Sequence, residues 1–171
     1  GLGDVYKRQL SAGGEVDLIV RKLNHLVAEG LDFDQVVDAI TAYRAKTKLL
    51  FVLAKVDNLV KNGRLSKLVG TVVGLLNIRM VGEASKTGTL ELLQKARGQK
   101  KAIKAAFDEL IKAGYTGGHI TIAHRNNDKF IEQFSALIRE KFTHASIEVL
   151  PTSGLCSFYA EEGGLLMGYE I

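Results

Sequence analysis

The 171 residues are 46% hydrophobic and 25% charged, enough to bury one core and within the size of a single domain. No apolar run approaches the roughly 20 residues that cross a bilayer, and the first residues lack a basic-then-apolar secretory signal, so the expected setting is cytoplasmic with no stable membrane insertion. With 23 basic and 19 acidic residues the net charge is +4, but the two signs are interspersed, which by itself does not imply nucleic acid. The single cysteine, Cys156, cannot form an internal disulfide, and no Cys/His group has metal-ligand spacing.

Gly1 to Gln9 shows no helical or strand period, and residues 1–14 are expected to be an artefactual or disordered tail. From Glu15 to Glu29, Val16, Ile19, Val20, Leu23 and Val27 trace one helical face before Gly30 stops the helix. Asp32 is placed to cap a second helix, with Gln35 at the reciprocal position of a capping box and Val36, Val37, Ile40 and Tyr43 on its inner face. Residues 15–47 are thus a helical segment ahead of the sheet.

Leu49 to Leu53 is an unbroken apolar run, the pattern of a strand buried on both faces. Leu59 and Val60 sit on a short helical turn, Asn62-Gly63 forms a tight turn, and Ser66 can cap a helix carrying Val69, Val72, Val73 and Leu76. Strands are predicted at Ile78 to Val81 and Leu90 to Leu93, joined by the polar stretch Glu83 to Gly88. A helix follows from Lys100 to Ala113, with Ile103, Phe107, Leu110 and Ile111 at helical spacing. Its basic entry, Arg97-Gly98-Gln99-Lys100-Lys101, is expected to be a solvated helix start. Ile120 to Ala123 is the next strand; Asn126 or Asn127 caps a helix whose Phe130, Ile131, Phe134, Leu137 and Ile138 share a face. Ile147 and Val149 mark a strand before Pro151, and Leu155 to Tyr159 and Leu165 to Tyr169 are the last strand candidates. The alternation predicts an α/β domain, a mixed sheet with helices packed on it, over residues 48–171.

Three segments in this order resemble the DegV family. Leu50-Phe51-Val52-Leu53 with Leu59-Val60-Lys61-Asn62-Gly63-Arg64-Leu65-Ser66-Lys67 is similar to the family's strand and Gly-Gly-Arg-Ile-Ser turn. Leu75-Leu76-Asn77-Ile78-Arg79, with Lys95-Ala96-Arg97-Gly98-Gln99-Lys100-Lys101-Ala102 after it, is the second, and Tyr159 to Tyr169 with its Gly163-Gly164 pair is the third. The resemblance implies a C-terminal portion of a fatty-acid carrier, not an enzyme. Its long-chain fatty acid would lie in an apolar tunnel and be presented to a fatty acid kinase catalytic subunit for acyl phosphate formation and phospholipid synthesis. It also implies a preceding α/β domain whose Thr-Ser motif and further Ser grip the ligand carboxylate; Thr152-Ser153 lies outside that motif's context. Tyr159 stands where many members carry His, replacing a group that becomes cationic near neutral pH with a neutral hydrogen-bond donor.

Arg64 sits between an Asn-Gly turn and the Ser66 cap, so a permanently charged planar donor lies near a helix start, and both features favour an anion. Tyr159 can hydrogen-bond a carboxylate while its ring packs among apolar neighbours, and Gly163 and Gly164 allow close backbone approach. The ligand-binding candidates are therefore Arg64, Ser66, Tyr159, Gly163 and Gly164, with no catalytic residue, metal or cofactor expected beyond the bound acid. Val69, Val72, Val73, Leu76, Leu165 and Met167 are candidate tail-wall residues, though core is the commoner fate of each. His119 and His124 flank one strand at a separation that sets them on opposite faces, against a shared acid/base or metal site. Two other readings are a phosphotransfer enzyme related to dihydroxyacetone kinase and a basic nucleic-acid-binding domain built on Arg97 to Lys104.

Overall fold

The computed structural model describes residues 12–65, 77–85 and 89–171. In chain order these form α1 (Gly14–Ala28), α2 (Phe33–Arg44), β1 (Thr47–Leu53), α3 (Asp57–Lys61), β2 (Ile78–Ala84), β3 (Leu90–Arg97), α4 (Gln99–Lys112), β4 (His119–His124), α5 (Asp128–Lys141), β5 (Ser146–Pro151), α6 (Gly154–Ala160) and β6 (Leu165–Glu170). The six strands form one sheet in the order β3-β2-β1-β6-β4-β5. Only β4 and β5 run parallel; the other neighbours are antiparallel, so the sheet is mixed as the sequence pattern implies.

The central strand β1 divides its side chains between two faces. Leu50 and Val52 point to the face covered by α4 and α5, where they join Val81, Ile120, Ile122, Leu165, Met167 and Tyr169 from the sheet and Ile103, Leu110, Phe130, Phe134 and Ile138 from the helices. Both helices are amphipathic at the 3.6-residue period and lay their apolar stripes on this face.

The opposite face is shared. Over β4 and β6 lies α1, seated very close because glycines meet: a Cβ on Gly14 would fall 2.0 Å from the Thr121 carbonyl oxygen, and one on Gly168 would fall 2.2 Å from the Glu15 backbone. The inner side of α1 is consequently Gly14, Glu15, Leu18 and Leu26. This corrects the apolar face read from the sequence, since Val16, Val20 and Val27 are exposed. Close backbone approach requires small residues against the sheet, and the valines are turned away. Polar bonds fix the contact: the Thr47 hydroxyl donates to Glu15 at 2.9 Å, and the Thr121 hydroxyl donates to Asp17 at 3.2 Å.

α2 starts with the expected capping box, Asp32 accepting from the Gln35 backbone N–H at 2.9 Å and Gln35 accepting from the Asp32 N–H at 3.0 Å. Of its predicted inner face, Val36 is buried while Val37, Ile40 and Tyr43 are half-buried. Among the described residues, the one element of wrong type is Leu155 to Tyr159, which is helical within α6. Extended Ser153 followed by Gly154 at φ 47° turns the chain out of the sheet after Pro151. A five-residue apolar run carries too little periodicity to separate strand from helix.

Candidate functional site

The remaining half of the shared face, over β1, β2 and β3, carries a second apolar cluster. It consists of Phe51 and Leu53 from β1, Met80 from β2, Val56, Leu59 of α3, Leu65 and Ala160 of α6, with Leu90, Leu92, Tyr159 and Leu166 packed on it. Among the described residues, the short helices α3 and α6 border this cluster at the end of the sheet where β1 finishes.

Towards that end lie four of the sequence candidates, Arg64, Tyr159, Gly163 and Gly164. The Arg64 guanidinium lies 5.9 Å from the centre of the Tyr159 ring, a cation–π placement in which Arg64 remains exposed. Tyr159 in turn meets Phe158 edge-on at 5.0 Å. Just beyond α6, Gly163 adopts φ 77°, and a Cβ there would lie 3.6 Å from Arg79 Nη1 and 3.7 Å from the Ala54 side chain. Gly164 has no room for any side chain, since its Cβ would sit 2.0 Å from the Ala160 carbonyl oxygen. The glycine pair therefore lets the chain fold tightly from α6 back into β6, and Gly163 leaves space beside Arg79.

Hydrogen bonds hold this corner together. The Gly163 N–H donates to the Arg125 carbonyl and the Arg125 N–H to the Gly164 carbonyl, both at 2.9 Å. The Asn127 amide donates to the Gly163 carbonyl at 2.7 Å. The Asn58 backbone N–H donates to the Glu161 carboxylate at 2.9 Å and its side-chain amide to the Phe158 carbonyl at 2.8 Å, tying α3 to α6. The result is a corner in which the exposed cation Arg64 stands at one end of the apolar half-face, while Arg79, which alternates with Met80 on β2 and shares the side of Val81, flanks Gly163. Among the described residues neither arginine has an acidic partner within ion-pair distance. A planar guanidinium without a protein counter-ion is suited to hold an external anion in bidentate fashion.

Ser66, Val69, Val72, Val73 and Leu76 lie outside the described residues. Leu165 and Met167 are not part of this half-face: both are fully buried under α4 and α5, and it is Leu166 between them that points to the second cluster. Strand alternation makes neighbouring residues serve opposite faces. Tyr159 reaches the site from a helix rather than from a strand end. Arg79 was legible only as part of the motif around Asn77, because its nearness to Gly163 depends on β2 and the start of β6 both flanking the end of β1. His119 and His124 remain apart, His119 at 3.8 Å from Glu148 and His124 accepting from the Asn127 N–H at 3.2 Å. Among the described residues no group of three or more His, Cys, Asp or Glu is arranged to hold a metal, and no helix is long and apolar enough to cross a membrane. The basic entry to α4 is exposed, with Lys104 paired to Asp108 at 2.7 Å.

A mixed sheet with α4 and α5 packed on one face and α1 beside a second apolar cluster on the other defines an α/β domain. The profile of the family described as an uncharacterised protein, DegV family, matches residues 9–169, and the chain belongs to that family. A DegV domain-containing protein of Streptococcus pneumoniae is 76% identical over 162 residues, covering 95% of this chain and 58% of the relative. The crystal structure of the Streptococcus pneumoniae Fatty Acid Kinase (Fak) B3 protein loaded with linoleic acid is similar with a TM-score of 0.93 at 75% identity, covering 95% of this chain and 58% of that one. A DegV family protein from Eubacterium eligens loaded with heptadecanoic acid gives a TM-score of 0.91 at 36% identity, over 95% of this chain and 59% of that one. This chain thus spans 58% of the length of the first two of these proteins.

Proposed function

We propose that this chain binds a long-chain fatty acid as a carrier, with the acyl tail on the apolar half-face of β1, β2 and β3 and the carboxylate at the Arg64 rim. The observation that carries this reading is the placement of Arg64 over Tyr159 at the edge of that cluster. Each buried methylene contributes about 0.8 kcal/mol, so the tail supplies most of the affinity. The head group would be costly to bring to an apolar mouth without a charged donor, so Arg64 sets orientation and rejects neutral lipids. Tyr159 contributes a phenolic donor and Gly163 and Gly164 the close backbone, and Ser66, two positions after Arg64 in the sequence, offers a hydroxyl. The likeness to two DegV proteins solved with fatty acids supports the ligand class.

The finer reading is that the held acid is presented to the catalytic subunit of a fatty acid kinase, which forms the acyl phosphate used in phospholipid synthesis. The similarity to a fatty acid kinase B protein supports it, and in this division of labour the carrier contributes no catalytic group.

Native mass spectrometry of the chain purified from bacteria tests the proposal. A co-purified mass in the fatty-acid range is expected, falling at least tenfold in Arg64→Ala. Absence of any bound acid after incubation with oleate or linoleate would overturn the carrier reading. Acyl phosphate formation by the chain with ATP alone would overturn the division between carrier and kinase.

A further inference from the structure

We infer that Phe51 is the residue that sets how long a tail the apolar half-face accepts, an inference that rests on the carrier reading and deepens it. From the Arg64 end, the half-face is built in rows across the paired strands. Leu53 stands opposite Met80, then Phe51 opposite Gly82 with Leu92 beyond it, then Ala84 opposite Leu90. Two residues of strand separate successive rows, about 7 Å.

The middle row differs from the others. Gly82 has no side chain, and its place is taken by the Phe51 ring: a Cβ on Gly82 would lie 2.3 Å from Cζ and 2.8 Å from Cε2 of Phe51. The register also shifts between Val81 and Gly82, so β3 resumes pairing with Leu92 opposite Gly82. The ring of Phe51, only 2% exposed, therefore reaches from β1 over Gly82 of β2. It stands between the Leu53–Met80 row at the Arg64 end and the Ala84–Leu90 row beyond it. A tail entering from Arg64 meets Leu53 and Met80 first and the Phe51 ring next. Glycine at position 82 is required by that ring together with the Glu91 carbonyl oxygen, 2.2 Å from where a Cβ would stand.

Trimming the ring should open the third row while leaving the head-group contacts intact. Competition binding of myristate, palmitate, stearate and arachidate to the purified chain reads this directly. In Phe51→Leu the preference should move to longer acids, by about fourfold in relative affinity for each further methylene that becomes buried. Phe134→Leu, on the sealed face, should lose stability with the length preference unchanged. If Phe51→Leu fails to fold by circular dichroism, Phe51→Met, which keeps volume in a flexible side chain, serves in its place with the same expected direction. Wild-type binding combined with an unmoved preference in the folded Phe51 variant overturns this inference and leaves the carrier reading standing. A wild-type chain that binds none of the four acids overturns both.

Discussion

The two faces of the sheet are made from the same strands but sealed in different ways. One is closed by two 14-residue helices, α4 and α5, whose large side chains interlock with the strands; Phe134, Leu110, Ile120 and Ile122 are all at 0% exposure. The other is divided between α1, held by glycine-to-backbone contact and buried polar bonds, and an apolar half-face flanked by the short helices α3 and α6. Dense packing by α4 and α5 fixes the strands on the first face; on the second, Phe51, Leu53 and Met80 are buried as well, and among the described residues it is the short helices α3 and α6 that border them. Opposite sides of β1 thus serve two separate apolar clusters, Leu50 and Val52 the one and Phe51 and Leu53 the other.

The comparison is broken most severely by removing bulk from the sealed face. Phe134→Ala leaves a cavity at a fully buried position stacked on Phe130 with ring centres 5.7 Å apart, and an expected loss of about 3–5 kcal/mol follows from lost transfer energy plus the void. Urea denaturation should show a lower midpoint with the slope unchanged. A loss below about 1 kcal/mol would mean that α5 repacks freely and that this face is not the rigid one.

The glycine contact of the other face gives the next largest effect. In Gly168→Ala the new methyl would lie 2.2 Å from Glu15 backbone atoms, which cannot swing aside as a side-chain tip can. The helix must move as a body, at an expected cost of roughly 1–3 kcal/mol typical of overpacking. Hydrogen exchange should report the loss in α1 and spare α4 and α5. Uniform loss of protection in all three helices would show that the faces are not separable.

Much of this architecture was written in local pattern. The apolar run of β1, the period of α4 and α5 and the capping box at Asp32 each belong to contiguous residues, and each forms as expected. What escaped was decided between distant segments. The valines of α1 looked like a core face because hydrophobicity alone cannot anticipate Gly14 meeting Gly168. The segment around Leu155 reads equally well as strand or helix until Gly154 sets its backbone. Within the candidate site, the turns at Asn62-Gly63 and Gly163-Gly164 were readable from their glycines, Gly63 and Gly163 both taking positive φ. The nearness of Arg79 to Gly163 and the helical setting of Tyr159 depend on how the strand ends and α6 converge, which no single segment encodes.

Alkaline titration offers the smallest and most selective test of the sealed side, through the tyrosines at its lower edge. Burial, and then the nearby Glu170 carboxylate, pushes the Tyr115 phenol up to about 12. Its hydroxyl donates to the Gly118 carbonyl at 2.8 Å, and its ring meets Phe142 edge-on. The unfolded chain releases that proton near pH 10, so between about pH 10 and 12 the folded state holds more protons and stability must fall as pH rises. Below pH 10 both states are protonated and the contribution is complete. Tyr43 and Tyr169 are shifted upward by burial as well, with Glu170 and Glu83 respectively as the leading charges. They share the same sign, so Tyr115→Phe should reduce the alkaline slope without abolishing it, by on the order of 1 kcal/mol at pH 10.5. Thermal melts at pH 8 and pH 10.5 measure the difference: the variant starts lower because its bond to Gly118 is gone, then loses less than the wild type on moving to high pH. Parallel losses in the two proteins would mean that Tyr115 ionises as an exposed phenol does, and the sealed face would then have to end short of Phe142.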